Sequence, residues 1–145
     1  MFKKILVPLD GSEGSWRALE HAIDLGAKFE SQLVVVTVIQ PYSNASLLSV
    51  PLDSKTVTDG NIELSKIGDK VLQMAAERLI SYKNGVDYCV EIGHPSERII
   101  ALAKKDGVDT IVIGSRGLSG IAEFFLGSVS SKVSQYATVP VLIVK

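Results

Sequence analysis

The residues with the strongest chemical content lie late in the chain, where Gly114-Ser115-Arg116-Gly117 is followed after nine residues by Gly127-Ser128-Val129-Ser130. Glycines in such a turn let backbone approach a ligand closely and reach positive φ. Amides at Gly127, Ser128, Val129 and Ser130 would open a helix and point unpaired N–H groups at an anion, with the Ser128 and Ser130 hydroxyls beside them. The pattern therefore predicts a phosphate cradle. It is not a Walker loop, because no Gly-x-x-x-x-Gly-Lys-Ser/Thr occurs. Nor is it the dinucleotide fingerprint, because Asp10-Gly11-Ser12-Glu13-Gly14 has the wrong glycine spacing. No Ser-His-Asp order, zinc signature or catalytic carboxylate pair accompanies it, so no catalytic residue is assigned and the motif argues for holding a ligand rather than cleaving it. His21 and His94 lack partners at metal spacing and read as structural; no metal ligand is assigned.

Five runs rich in Val, Ile and Leu must position these residues: Ile5 to Leu9, Leu33 to Ile39, Val86 to Ile92, Thr110 to Ile113, and Val141 to Val144. Segments of helical period alternate with them. The first follows the N-cap candidate Ser12, with Trp16, Leu19, Ile23 and Ala27 on its apolar face and Trp16 as an anchor. The second places Ile67, Val71, Met74, Ala75 and Leu79 on one face before the Asn84-Gly85 stop. The third begins at Pro95 and carries Ile99, Leu102 and Ala103. The fourth, Ser128 to Tyr136, carries Val129, Val133 and Tyr136, with Tyr136 and Tyr88 as packing residues.

Alternation of this kind, with near-continuous apolar strands, predicts a doubly wound α/β sandwich: an open five-stranded parallel sheet with helices on both faces, Rossmann-like or flavodoxin-like. The alternation alone does not set the strand order. A reversal of winding after the first strand puts the switch point between strands one and four, which brings Asp10 close to Gly114; the order 3-2-1-4-5 is the expectation. The stretch from Gln40 to Gly60, with Leu47, Leu48, Val50 and Leu52, breaks the rhythm and reads as a long loop. It is open between a lid over the crevice, an insertion and an irregular helical piece.

The 145 residues, 46% of them apolar, fit a single domain. Fifteen basic against sixteen acidic residues leave a net charge of −1, which gives no general attraction to nucleic acid or an anionic membrane. The apolar run before Pro8 is too short for a signal-peptide core or a membrane span, so a cytoplasmic location is expected. Cys89, the one cysteine, reads as a buried structural thiol in a reducing compartment.

Gly114-x-x-Gly117, nine residues and Gly127-Ser128 resemble the nucleotide-binding signature of the universal stress protein family, in particular its ATP-binding branch within the adenine nucleotide alpha hydrolase-like superfamily. The opening Lys3 to Ser12, the Gly93-His94-Pro95 turn, Asp109 to Gly117 and the ending Pro140 to Val144 are also similar to that family, so that only the Gln40 to Gly60 stretch stands outside the resemblance. Two departures concern detail: Arg116 stands at a variable, often polar position, and Leu9 where a small polar residue is frequent.

The resemblance implies an adenine nucleotide, ATP, AMP or another, with or without Mg²⁺. Its base would lie near Pro8, Asp10 and the backbone of Val38, its ribose and phosphates along Gly114, Ser115, Arg116 and Gly117, and its phosphate tail on Gly127, Ser128, Val129 and Ser130. Asp10 suits an amine or hydroxyl donor, and Arg116 either adds charge or is merely solvated. The resemblance also implies a homodimer through the last strand, Val141 to Val144, whose backbone groups would otherwise stand unpaired at a sheet edge. The implied role is regulation in a stress response through an unspecified protein partner. Slow ATP hydrolysis and a nucleotide-free dimeric scaffold are the alternatives.

Overall fold

A computed structural model describes residues 1–41, 53–117 and 125–145. Its elements run β1 (Lys4–Pro8), α1 (Glu13–Phe29), β2 (Gln32–Ile39), α2 (Ser54–Arg78), β3 (Val86–Ile92), α3 (Pro95–Lys105), β4 (Thr110–Gly114), α4 (Ser128–Tyr136) and β5 (Val141–Val144). The five strands form one parallel sheet in the order β3-β2-β1-β4-β5, the order expected from the sequence.

Period-two alternation along each central strand divides its side chains between two cores. Ile5, Val7, Leu33, Val35 and Val112 face one layer, where Ala18, Leu19 and Ala22 of α1 meet Val71, Ala75 and Leu79. Leu6, Val34, Val36, Ile111 and Ile113 face the other, against Ile99, Leu102 and Ala103 of α3 and Val133 of α4. Both faces of β1, β2 and β4 are thus covered, which explains why these strands read as continuous apolar runs. Among the described residues no helix is long and apolar enough to cross a membrane.

Several local expectations need correction. In α1 the buried residues are Gly14, Ser15, Ala18, Leu19, Ala22 and Gly26; Trp16 and Ile23 of the expected face pack half-buried against the same core, whereas Ala27 is exposed. In α2 Gly68, Val71 and Ala75 are buried, whereas Ile67 is 56% exposed and Met74 lies at the surface. Small residues let these helices sit close to the strands: a methyl group at Gly68 would approach Ile39 to 3.0 Å. Tyr136 and Tyr88 are exposed rather than packed, because they lie on α4's outer side and on the edge strand β3. Of the three readings left open for the 40–60 stretch, residues 54–60 take the helical one, as the regular start of α2 at Ser54, its N-cap Asp53 accepting from the Thr56 amide at 2.7 Å. The Leu47, Leu48, Val50 and Leu52 portion of the lid expectation lies outside the described residues.

Cys89 is half-buried on β3. Burial, reinforced by the charges of Glu91, Asp106 and Asp87, pushes its thiol up to about 11, the behaviour of an inert structural cysteine.

Candidate functional site

The switch point lies between β1 and β4, the two central strands whose following helices pack on opposite faces of the sheet. At the carboxyl ends of these strands opens a cleft of about 290 Å³, where an open α/β sheet characteristically takes its ligand. Its walls divide by chemistry. Pro8, Leu9, Val36, Val38, Pro95, Ile99 and Ile113 make an apolar slot, while Asp10, Ser15, Arg116, Ser128, Ser130 and the glycines make a polar end. A flat apolar body with a polar or anionic tail fits this division.

Local structure fixes the position of Asp10. Leu9 donates its N–H to the Val36 carbonyl at 2.8 Å and accepts from the Thr37 hydroxyl at 2.9 Å, so the chain leaves β1 in one direction. The Ser12 amide then donates to Asp10 Oδ1 at 2.9 Å, and the Ser12 hydroxyl donates to the same oxygen. Asp10 Oδ2 lies against the Gly117 backbone, 2.6 Å from where a Cβ on Gly117 would stand. The Asp10 side chain is exposed to the cleft with one oxygen committed and the other directed at the glycine turn.

The polar end is built by α4. Gly127 is its N-cap, and the first helical bond runs from the Ser131 amide to the Gly127 carbonyl at 2.9 Å. Helix geometry therefore leaves the amides of Ser128, Val129 and Ser130 without intrahelical partners at the positive end of the helix. The expected fourth donor is not available: the Gly127 N–H donates to the Ser115 carbonyl at 2.7 Å, as does the Ser130 hydroxyl at 2.8 Å. An N-cap amide lies before the helix and is taken by the turn that delivers the chain to it.

Ten of the eleven residues singled out from sequence line this cleft: Pro8, Asp10, Val38, Gly114, Arg116, Gly117, Gly127, Ser128, Val129 and Ser130. Ser115 does not. It is buried, 7% exposed, and borders instead an adjoining cleft with Ser12, Glu13, Gly14, Arg17, Arg116 and Gly117. Its N–H donates to the Val144 carbonyl at 2.7 Å, so its backbone braces the turn. Arg116 is exposed between the two clefts and forms no ion pair among the described residues.

None of the motif glycines has φ in the left-handed region, contrary to the expectation of positive φ; Gly11, Gly85, Gly93 and Gly107 do. Close approach is the requirement that holds. A methyl on Gly114 would lie 2.7 Å from the Gly14 carbonyl carbon and oxygen, and one on Gly14 would lie 2.8 Å from the Arg116 carbonyl oxygen, so two backbones abut where α1 starts beside β4.

Leu9, Ser15, Val36, Pro95, Ile99 and Ile113 also line the cleft and were not singled out. Strand ends carried a signal for Leu9 and Ile113, whereas Val36 lies in the middle of β2. Pro95 and Ile99 reach the cleft only because α3 packs across β2, which no local pattern announces. His94 is the exposed N-cap of α3 and His21 lies exposed on α1. Among the described residues no three His, Cys, Asp or Glu side chains gather as a metal site.

Comparison with known proteins agrees with this architecture. The model of the universal stress protein family matches residues 1–145. Universal stress protein YxiE of Bacillus subtilis is 37% identical over 150 residues, with all of both chains covered. The structure of MJ0577 from Methanocaldococcus jannaschii is similar at a TM-score of 0.84 and 28% identity, covering 100% of this chain and 96% of that one. A universal stress protein solved in complex with cAMP is similar at a TM-score of 0.73 and 27% identity, covering 99% and 97% of the two chains. From the first strand to the last, the chain belongs to the universal stress protein family.

Proposed function

We propose that this protein binds an adenine nucleotide, ATP in the first instance, in the cleft between β1 and β4, and acts as a regulatory rather than a catalytic protein. The observation that carries this reading is the continuity of an apolar slot with a helix N-terminus whose three leading amides lack intrahelical partners. In this reading the base lies in the slot by Pro8 and the Val38 backbone, and Asp10 accepts from an amine or a ribose hydroxyl. Gly114 and Gly117 keep the turn low against the ligand, and Ser128, Val129 and Ser130 donate to phosphate from the turn capped by Gly127. Arg116 adds the one cationic side chain of the lining among the described residues. Ser115 acts through the brace and not by contact. A Mg²⁺ ion would arrive on the phosphates and keep most of its water, because among the described residues Asp10 is the only carboxylate lining this cleft.

The cAMP complex of a family member at 27% identity supports an adenine ligand and favours comparing cyclic and linear nucleotides directly. Binding without turnover is the preferred reading because Asp10, which already accepts two hydrogen bonds at Oδ1, is the one carboxylate lining the cleft among the described residues, with no histidine beside it to make a catalytic pair. A homodimer through β5 belongs to the same reading, supported by the position of that strand at the sheet edge. So does action in the cytoplasm.

The test is to identify by mass spectrometry any ligand released from freshly purified protein, then to titrate ATP, AMP, cAMP and GTP by calorimetry. Saturable binding of adenine nucleotides with GTP weaker is expected. No co-purified nucleotide and no heat at millimolar adenine nucleotide would remove the reading.

A further inference from the structure

The second cleft, of about 420 Å³, adjoins the nucleotide cleft across Arg116 and Gly117, which border both, and lies at the start of α1. Its lining is rich in donors. α1 is 17 residues long; the Trp16 amide makes its first helical bond to the Ser12 carbonyl at 3.1 Å, and the Ser15 amide donates to the Ser12 hydroxyl at 3.2 Å. The Glu13 and Gly14 amides precede these bonds and have no acceptor among the described residues, so they stand free at the positive end of the helix. Arg17 and Arg116 bring two guanidinium groups to the same lining. Arg17 Nε donates to the Lys145 carbonyl at 3.1 Å, and its 3.8 Å ion pair with the exposed Glu13 is of the solvent-screened kind that yields readily.

Ser115 gives a second, independent sign of a ligand. The residue is 7% exposed, and its backbone is fully engaged, the amide by Val144 and the carbonyl by Gly127 and Ser130. Its hydroxyl, by contrast, makes no hydrogen bond among the described residues. Every side-chain polar atom there that is wholly shut off from solvent does have a partner, so this hydroxyl opens on the cleft that Ser115 borders. A nearly buried hydroxyl without a partner is costly unless something in the cleft satisfies it.

We propose that the second cleft binds a phosphate group, distinct from the one held at the start of α4. Two free amides at a helix N-terminus, a hydroxyl and two guanidinium forks form a set of donors that suits a tetrahedral oxyanion with several acceptor oxygens. Glu13, the one carboxylate of the lining among the described residues, turns its charge outward to solvent and Arg17. The same donors would hold a free phosphate, the phosphate of an ester entering from solvent, or the terminal phosphate of a nucleotide bent across Gly117.

The test is to titrate inorganic phosphate into the nucleotide-free, uniformly ¹⁵N-labelled chain, with chloride holding the ionic strength constant. Saturable shifts are expected at the Glu13, Gly14 and Ser115 amides. Ser115→Ala removes the hydroxyl and keeps the backbone bonds; it should weaken phosphate at these amides by roughly tenfold, the loss of one hydrogen bond to a charged group, with Tm no lower. Arg17→Gln should weaken phosphate by a similar factor and leave AMP affinity unchanged, because Arg17 lies outside the nucleotide cleft. Repeating the titration on AMP-saturated and ATP-saturated chains identifies the source. A response lost with ATP alone means that the nucleotide's terminal phosphate fills the cleft, and a response kept with both means a separate phosphate group; either upholds the site. Shifts at Glu13 and Gly14 that chloride reproduces, shifts confined to Ser128, Val129 and Ser130, or wild-type phosphate affinity in both variants would overturn it, whether or not the nucleotide reading holds.

Discussion

Gly114 and Gly117 belong to one motif, yet adding a single methyl group to each should have opposite consequences. At Gly114 the methyl would lie 2.7 Å from the Gly14 carbonyl carbon and oxygen and 3.1 Å from the Ser15 amide nitrogen. All three are backbone atoms at the start of α1, so relief requires that α1 and β4 separate. Both elements are buried here, and overpacking of this kind costs about 1–3 kcal/mol. For a chain of this length that lowers Tm by roughly 3–10 °C. At Gly117 the methyl would meet Asp10 Oδ2 at 2.6 Å, the far end of a side chain that can rotate, and its next contact is Asp10 Cγ at 3.8 Å. Gly117→Ala should therefore keep Tm within about 2 °C of wild type, since a yielding surface side chain costs only ~0.5 kcal/mol. It should nevertheless weaken nucleotide binding by displacing the Asp10 carboxylate. Paired thermal melts and calorimetric titrations of both variants provide the assay. Gly114→Ala melting like wild type, or Gly117→Ala losing stability without losing affinity, would refute the assignment of fold to one glycine and ligand to the other.

Cys89 should resist thiol reagents at pH 8, because burial and the neighbouring carboxylates hold its pKa near 11; rapid stoichiometric labelling of the native protein would contradict this. The raised pKa also fixes a sign: the contribution to stability is complete below about pH 9 and declines as pH climbs towards about 11, as denaturation midpoints across that range would record. Ser130→Ala removes a buried hydroxyl donor from the Ser115 carbonyl, which keeps the Gly127 amide, so a loss of about 1 kcal/mol is expected in urea denaturation. A loss above about 3 kcal/mol would mean that Ser130 holds more than this bond.

The sequence carried the sheet because β-branched runs such as Val34-Val35-Val36 suit strands buried on both faces, and because Ser12 and Pro95 mark helix starts. It also exposed most of the cleft, since ten of its lining residues sit at strand ends or at one helix N-terminus. Helix faces were less legible. Apolar periodicity favours large residues such as Ile67 and Met74, whereas close packing on the sheet selected Gly68 and Ala75. The start of α2 was hidden because its first two turns, Ser54 to Asn61, carry almost no apolar stripe; the one local sign was the cap pair Asp53 and Thr56. The Thr56 amide and hydroxyl hold the Asp53 carboxyl below its ordinary value, as a cap should. Ser115 showed the same limit: its position in the motif suggested ligand contact, and only the fold shows its N–H turned to Val144 and its carbonyl to Gly127.

Nucleotide binding between β1 and β4 is tested most directly by amide chemical shifts of the uniformly ¹⁵N-labelled chain as ATP is added. The account predicts saturable perturbations concentrated at Ser128, Val129 and Ser130, with smaller ones at Val38, Asp10 and Gly117 and little change on the outer face of α2. A spectrum unmoved at millimolar ATP, or perturbations that map away from the β1 and β4 ends, would contradict it.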